Sequence, residues 1–190
     1  ELFLKENNYW FICATKGWGK TFLLKVKRKI LQKEGMICLP YNKMLDSIQG
    51  SFILSKDKIN YLANTQNWID IWSIAIKLSI FKYLLHHKKR TKDKEPENNI
   101  STERLMIDDP LYTELIENED LQYTCDFFNN ILNLSISEIS RLKKIDTNSM
   151  VPLYKRLDYP IAIFIDNTDE AFRDHLYDVT GATKASHGII

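Results

Sequence analysis

The sequence predicts an α/β fold in which a parallel-sheet core is interrupted by a largely helical insertion. Three observations lead there. Short, unbroken apolar runs at Tyr9 to Ala14, Met36 to Leu39 and Tyr159 to Asp166 have the length and the β-branched and aromatic content of strands buried on both faces. A change of period directly behind the first run, from Thr21 onward, marks an amphipathic helix of the kind that joins two parallel strands. The long stretch between the second and third runs is dominated by helical spacing.

Along the chain, Gly17 and Gly19 punctuate the end of the first strand. In the following helix Phe22, Leu23, Val26 and Ile30 are expected on one face and Lys25, Lys27, Arg28 and Lys29 on the other, with Gly35 where a C-terminal cap belongs. Met36 to Leu39 then reads as the second strand, stopped by Pro40 and joined to the first by a right-handed crossover. Tyr41 to Asn64 carries no clear period. Gln66 to His87 predicts a long helix whose polar positions Asp70, Ser73 and Lys77 fall at helical spacing, leaving Trp68, Ile71, Trp72, Ala75 and Leu78 to be covered by protein. The run from 86 to 104, almost without large apolar residues, cannot offset its ordering entropy by burial and is expected as an exposed loop. Asp120 to Leu134 and Ser137 to Lys144 predict two further helices. Pro160 stands at the start of the third strand, where a missing N–H is tolerated. Core elements are thus expected at 9–40 and 159–180, with the insertion over about 41–158.

Composition narrows the function classes. The chain has 190 residues, 44% of them apolar, and a net charge of +1, so one soluble globular domain is the default and no overall polyanion-binding field exists. The basic run His86 to Lys94 is followed by Glu95, Glu97 and Glu103, which favours a solvated loop over a nucleic-acid contact. Cys13, Cys38 and Cys125 lack any CxxC spacing and read as thiols in a reducing, cytoplasmic setting. His86, His87, His175 and His187 form no metal-ligand spacing. The most apolar segment, Trp68 to Leu85, is broken by Asp70, Lys77 and Lys82 and reads as a buried helix, not a membrane span. Lacking an initial Met and stopping soon after its last motif, the chain reads as part of a larger protein.

The segment Ala14, Thr15, Lys16, Gly17, Trp18, Gly19, Lys20, Thr21 matches G-x-x-x-x-G-K-[ST] except for Ala at the first position. Gly17 and Gly19 permit the positive φ angles that aim successive N–H groups at phosphate oxygens. Lys20 is expected on the β- and γ-phosphates, and Thr21 is expected to offer its hydroxyl to Mg²⁺ at the start of the helix, where the dipole also favours anions. Trp18 could stack on a nucleotide base or pack on the protein surface.

The second constellation is Ile161 to Glu170, IAIFIDNTDE, in which an apolar strand leads into Asp166. Its form is that of a Walker B element, with Asp166 as the second Mg²⁺-holding group. A carboxylate that polarises the attacking water often follows directly, but Asn167 occupies that place. Glu170, with Asp169 beside it, is the residue expected in the catalytic role; the competing reading is that both acids favour the first turn of a following helix. Taken in their order along the chain, these motifs predict a P-loop NTPase core with a parallel sheet and a largely helical insertion between Walker A and Walker B. The ligands expected are ATP and Mg²⁺. The absence of an N-K-x-D segment tilts the choice away from GTP.

On these residues the chain resembles the nucleotide-binding domain of the bacterial STAND and KAP P-loop ATPases. Those families carry an acidic cluster after the strand, here Asp166, Asn167, Thr168, Asp169 and Glu170, and helical material in the interval between the motifs, here roughly 140 residues. Ala14 and Asn167 depart from the common pattern. The resemblance implies an ATP-driven switch within a homo-oligomer, coupled to an effector protein and used in antiphage defence. A nucleotide-gated scaffold that binds ATP or ADP without turnover is the alternative, and Asn167 is the feature that sustains it.

Overall fold

The computed structural model describes residues 2–5, 17–41, 43, 45–47, 54–88, 105–157 and 160–166. The expected strand at Tyr9 to Ala14, the loop residues Ala14, Thr15 and Lys16, nearly all of the 86–104 loop, and Asn167, Asp169 and Glu170 lie outside them. The chain is mixed α/β and mostly helical, with two small parallel sheets. The described residues fall into two compact units, one from the residues up to Asp46 together with 160–166, the other from Ser47 to 157.

The first unit holds α1 (Leu2–Lys5), α2 (Lys20–Lys33), β1 (Ile37–Leu39), β2 up to its first residue (Asp46–Ser47), and the third apolar run, which divides into β3 (Ile161–Ile163) and β4 (Ile165–Asp166). The run divides because its partner changes: β3 lies parallel to β1 with Cys38 opposite Ala162, and β4 pairs with β2. Phe164 joins them, its N–H donating to the Leu39 carbonyl at 2.9 Å and its own carbonyl accepting from the Asp46 N–H at 2.9 Å.

The end of α2 follows from Gly35. At φ 85° it adopts the left-handed conformation that only glycine takes without strain, which lets its N–H reach the Gln32 carbonyl and the Met36 N–H reach that of Leu31. The chain then turns directly into β1.

Which face of α2 is buried differs from the sequence expectation. Phe22 is 68% exposed and Leu23, Val26 and Ile30 are only partly covered, whereas Lys27, Arg28 and Leu31 are buried. Leu31 and Leu24 pack with Cys38, Ala162, Phe164, Met36 and Leu45. Arg28 belongs inside because its Nη2 donates to the carbonyls of Cys38 and Pro40, and its guanidinium lies 5.9 Å from the Phe164 ring centre. The charge is tolerated since polar acceptors meet it, although burial lowers its pKa, against a smaller opposing influence of Cys38. The residue pattern alone does not reveal those carbonyls, so it sets Arg28 on the face opposite the apolar residues. The Cys38 thiol, buried beside it, is pushed up by burial more than the Arg28 charge pulls it down, which disfavours the thiolate.

The second unit contains α3 (Lys56–Leu62), α4 (Thr65–Lys88), α5 (Pro110–Glu117), α6 (Thr124–Asn133), α7 (Ile136–Ile145), a π-helical turn (Asp146–Met150) and α8 (Val151–Tyr154). The long helix expected at Gln66 to His87 is α4, and its neighbours cover Trp68, Ile71, Trp72, Ala75 and Leu78 completely or nearly so. Trp72 stacks on Phe128 of α6 with ring centres 3.8 Å apart. The polar residues that interrupt α4 are each answered: Asp70 pairs with Lys143, Lys77 with both carboxylate oxygens of Asp146 at 2.9 and 3.0 Å, and Lys82 donates to the Asn118 carbonyl at the end of α5. Lys58 does the same for the carbonyls of Leu132 and Leu134 at the end of α6, where a cation also meets the negative pole of the helix. None of the described helices is long and apolar enough to cross a membrane.

Two caps begin helices in this unit. Asp109 accepts from the Leu111 N–H at 2.9 Å and the Tyr112 N–H at 3.3 Å, and Arg141 of α7 donates to its other oxygen at 2.9 and 2.7 Å. Ser135 and Glu138 form a reciprocal pair at the start of α7. At Asp109 partial burial works to raise the pKa, but the bonds from Arg141 and the backbone outweigh it; at Glu138 the Ser135 hydroxyl and N–H hold the carboxyl down. Both folded pKa values lie below the unfolded ones, so their contribution is present above about pH 4 and is lost as pH falls through the folded values. Asp109→Ala should lower stability by about 1 kcal/mol at neutral pH, and urea titrations should show the deficit shrinking as pH falls toward 3. A deficit independent of pH would exclude the charged cap as its source.

Candidate functional site

Two periodicities of the first unit converge on one point. Along 161–166 burial alternates, with Ala162, Phe164 and Asp166 buried and the isoleucines between them only partly so. Side chains in a strand repeat every two residues, so Asp166 shares the face that Ala162 and Phe164 turn to the α2 core cluster. Along α2, Thr21, Leu24, Arg28 and Leu31 fall at i, i+3, i+7 and i+10, one stripe of a helix. Thr21 is the first member of that stripe and Asp166 the last member of the strand face. They meet: the Thr21 hydroxyl donates to Asp166 Oδ2 at 2.6 Å across 145 positions of sequence. Asp166 is 8% exposed.

The turn before α2 supplies the rest. Gly17 and Gly19 have φ 89° and 74°, and a Cβ added at either would meet nothing within 4 Å, so it is backbone conformation and not lack of space that calls for glycine. Gly19 is the N-cap residue and brings no capping side chain of its own to α2, and no acid stands in its first turn. The first N–H groups of an α-helix have no partner within the helix, and the positive pole of the helix lies there with Lys20 at its first position. A short hydroxyl-to-carboxylate bond, a lysine and a helix N-terminus entered through two left-handed glycines thus gather within one turn of helix and one strand end.

Of the residues expected from sequence, Gly17, Trp18, Gly19, Lys20 and Thr21 lie at this turn, and Asp166 is brought to Thr21. Ala14, Thr15, Lys16, Asp169 and Glu170 lie outside the described residues. Among the described residues no group of three or more His, Cys, Asp or Glu side chains could hold a metal ion. Sequence reading missed two participants. Arg28 positions α2 by fastening it to β1, and the available signal was its spacing of seven from Thr21. The sequence pattern groups Phe22 with Leu23, Val26 and Ile30 on one face, but a residue next to Thr21 stands about 100° around the helix from it, off the stripe of Leu24, Arg28 and Leu31. Comparison of the chain with protein-family models, with curated proteins and with solved structures gave no match.

Proposed function

We propose that this chain is an ATP- and Mg²⁺-binding P-loop domain that hydrolyses ATP slowly and uses the cycle as a conformational and assembly switch. The observation that carries the reading is the Thr21–Asp166 hydrogen bond, because a hydroxyl at the first turn of one helix and a carboxylate at the end of a distant strand are the two groups that such a domain holds together around its cation. Hard oxygen donors in this number suit Mg²⁺, which keeps most of its remaining positions for phosphate oxygens and water. Mg²⁺ held there would neutralise charge on the β- and γ-phosphates. The protein's own part is to aim the first N–H groups of α2 and the Lys20 ammonium at those phosphates, and to keep Thr21 and Asp166 in register.

Glu170 is the residue proposed to polarise the attacking water, with Asp169 as the substitute. Asn167, standing where the second acid commonly follows Asp166, supports the second reading, a scaffold that binds ATP or ADP and works through protein contacts without turnover. A homo-oligomeric state, an effector partner and a role in antiphage defence belong to the proposal through the STAND and KAP resemblance alone.

The test is calorimetric. Wild type should bind ATP at least tenfold more tightly with Mg²⁺ than with EDTA, and Asp166→Asn, close to isosteric, should lose that gain while keeping its fold. Glu170→Gln should then bind MgATP as wild type does and release no phosphate. Affinity for ATP that is indifferent to Mg²⁺ in the wild type would sink the assignment of Thr21 and Asp166; wild-type binding without phosphate release would leave the scaffold.

A further inference from the structure

Trp18 and Phe22 are the most exposed large apolar side chains among the described residues, at 76% and 68%. Their positions are not scattered. Trp18 is two residues before Lys20, and Phe22 is one after Thr21, so they bracket the proposed phosphate-binding pair. An exposed aromatic costs free energy relative to a buried one, and neither side chain is needed by the core, whose stripe on α2 runs through Leu24, Arg28 and Leu31. The backbone around them is committed to another task, since Gly17 and Gly19 on either side of Trp18 are both left-handed.

We infer that Trp18 and Phe22 form the platform for the base of the bound nucleotide, and that recognition there is by stacking and not by hydrogen bonds to the base edge. The inference rests on the phosphate-binding reading above. A base is tethered to its phosphates through a single ribose, so whatever stacks on it has to lie within a side chain's length or two of the residues that hold the phosphates. Two flat, uncovered rings at that distance match the chemistry of a base, which offers an apolar face on both sides. Every base has such a face, so stacking tolerates a change of base and grades ligands by ring size. The site should therefore take adenine and guanine nucleotides almost equally and pyrimidine nucleotides less well.

The experiment compares MgATP, MgGTP, MgCTP and magnesium tripolyphosphate as ligands of the wild-type chain, of Trp18→Ala, of Phe22→Ala and of the double variant. Because both side chains are exposed, the variants should fold, which circular dichroism checks. In the double variant the affinity for MgATP and MgGTP should fall alike, by about 10- to 100-fold, with the affinity for tripolyphosphate unchanged. Trp18→Phe with Phe22→Tyr should restore most of the loss. Quenching of tryptophan fluorescence by MgATP, but not by tripolyphosphate, should disappear in Trp18→Phe. An equal loss for ATP and tripolyphosphate would overturn the platform, since the aromatics would then be shaping the loop. Unchanged affinities with a shift in sedimentation would overturn it in favour of a contact with a second copy. Wild type that binds tripolyphosphate as tightly as ATP would remove the platform while the phosphate site stands; wild type that binds neither would remove both.

Discussion

Lys20→Ala should abolish the thermal stabilisation that Mg²⁺ and ATP give the wild-type chain. A ligand present at a hundred times its dissociation constant adds about 2.7 kcal/mol to the native state, which for a domain of this size raises the unfolding midpoint by roughly 5 to 10 °C. The lysine stands at the first position of α2, where the helix presents its positive pole and where its own first turn contains no acid. Removing one ammonium from such a position takes away its share of the charge proposed to face the phosphates and leaves the backbone donors in place. The core under α2 should be untouched, since Lys20 is no part of its buried cluster. A full ligand-induced shift in Lys20→Ala would mean that the phosphates are held elsewhere.

The largest purely structural effect is expected in the helical unit. Phe128→Ala should destabilise it by about 3 to 5 kcal/mol, because Phe128 is fully buried and its ring lies face to face with Trp72 at 3.8 Å and beside Trp68 at 6.2 Å. The cost has two parts, the lost transfer of an aromatic ring from water and a cavity between α4 and α6 that two indoles are too rigid to fill. Phe128→Leu should recover a large share of it by filling volume without the stacking. Denaturant unfolding followed by tryptophan emission measures both variants, and a loss under 1 kcal/mol in Phe128→Ala would show that the unit repacks freely around α4.

Much of this was legible in the sequence, and the reasons are specific. The third apolar run and the helix behind Gly19 could be read because each has one dominant period, and α4 because its apolar residues outnumber what one face can hold. That Thr21 and Asp166 should come together was readable because the chemistry expected of the two motifs brings a hydroxyl and a carboxylate of these types to one place. What could not be read was rotation. The helix α2 offered two candidate buried faces, and hydrophobicity alone chose Phe22, Leu23, Val26 and Ile30; the chain buries Arg28 instead, because two backbone carbonyls, that of Cys38 within β1 and that of Pro40 just past it, accept from its guanidinium. The division of 161–166 between two partners was likewise invisible, since it depends on where β2 falls in a segment, Tyr41 to Asn64, that carries no clear period. Lys58, Lys77 and Lys82 show the same limit in the second unit: a lysine that ends on a helix's last carbonyls or on Asp146 looks, in sequence, like any solvated one.

The meeting of Thr21 and Asp166 has a consequence for which changes of length the chain can absorb. The helical stretch between β2 and β3 contains neither partner, so neither of the two intervals that bring them together is counted through it. One residue gained or lost between Ala162 and Asp166 turns the carboxylate to the opposite side of the sheet, and one gained or lost between Thr21 and Arg28 swings the hydroxyl about 100° around its helix. The site is therefore guarded by counting, an even interval on the strand and an interval of seven on the helix.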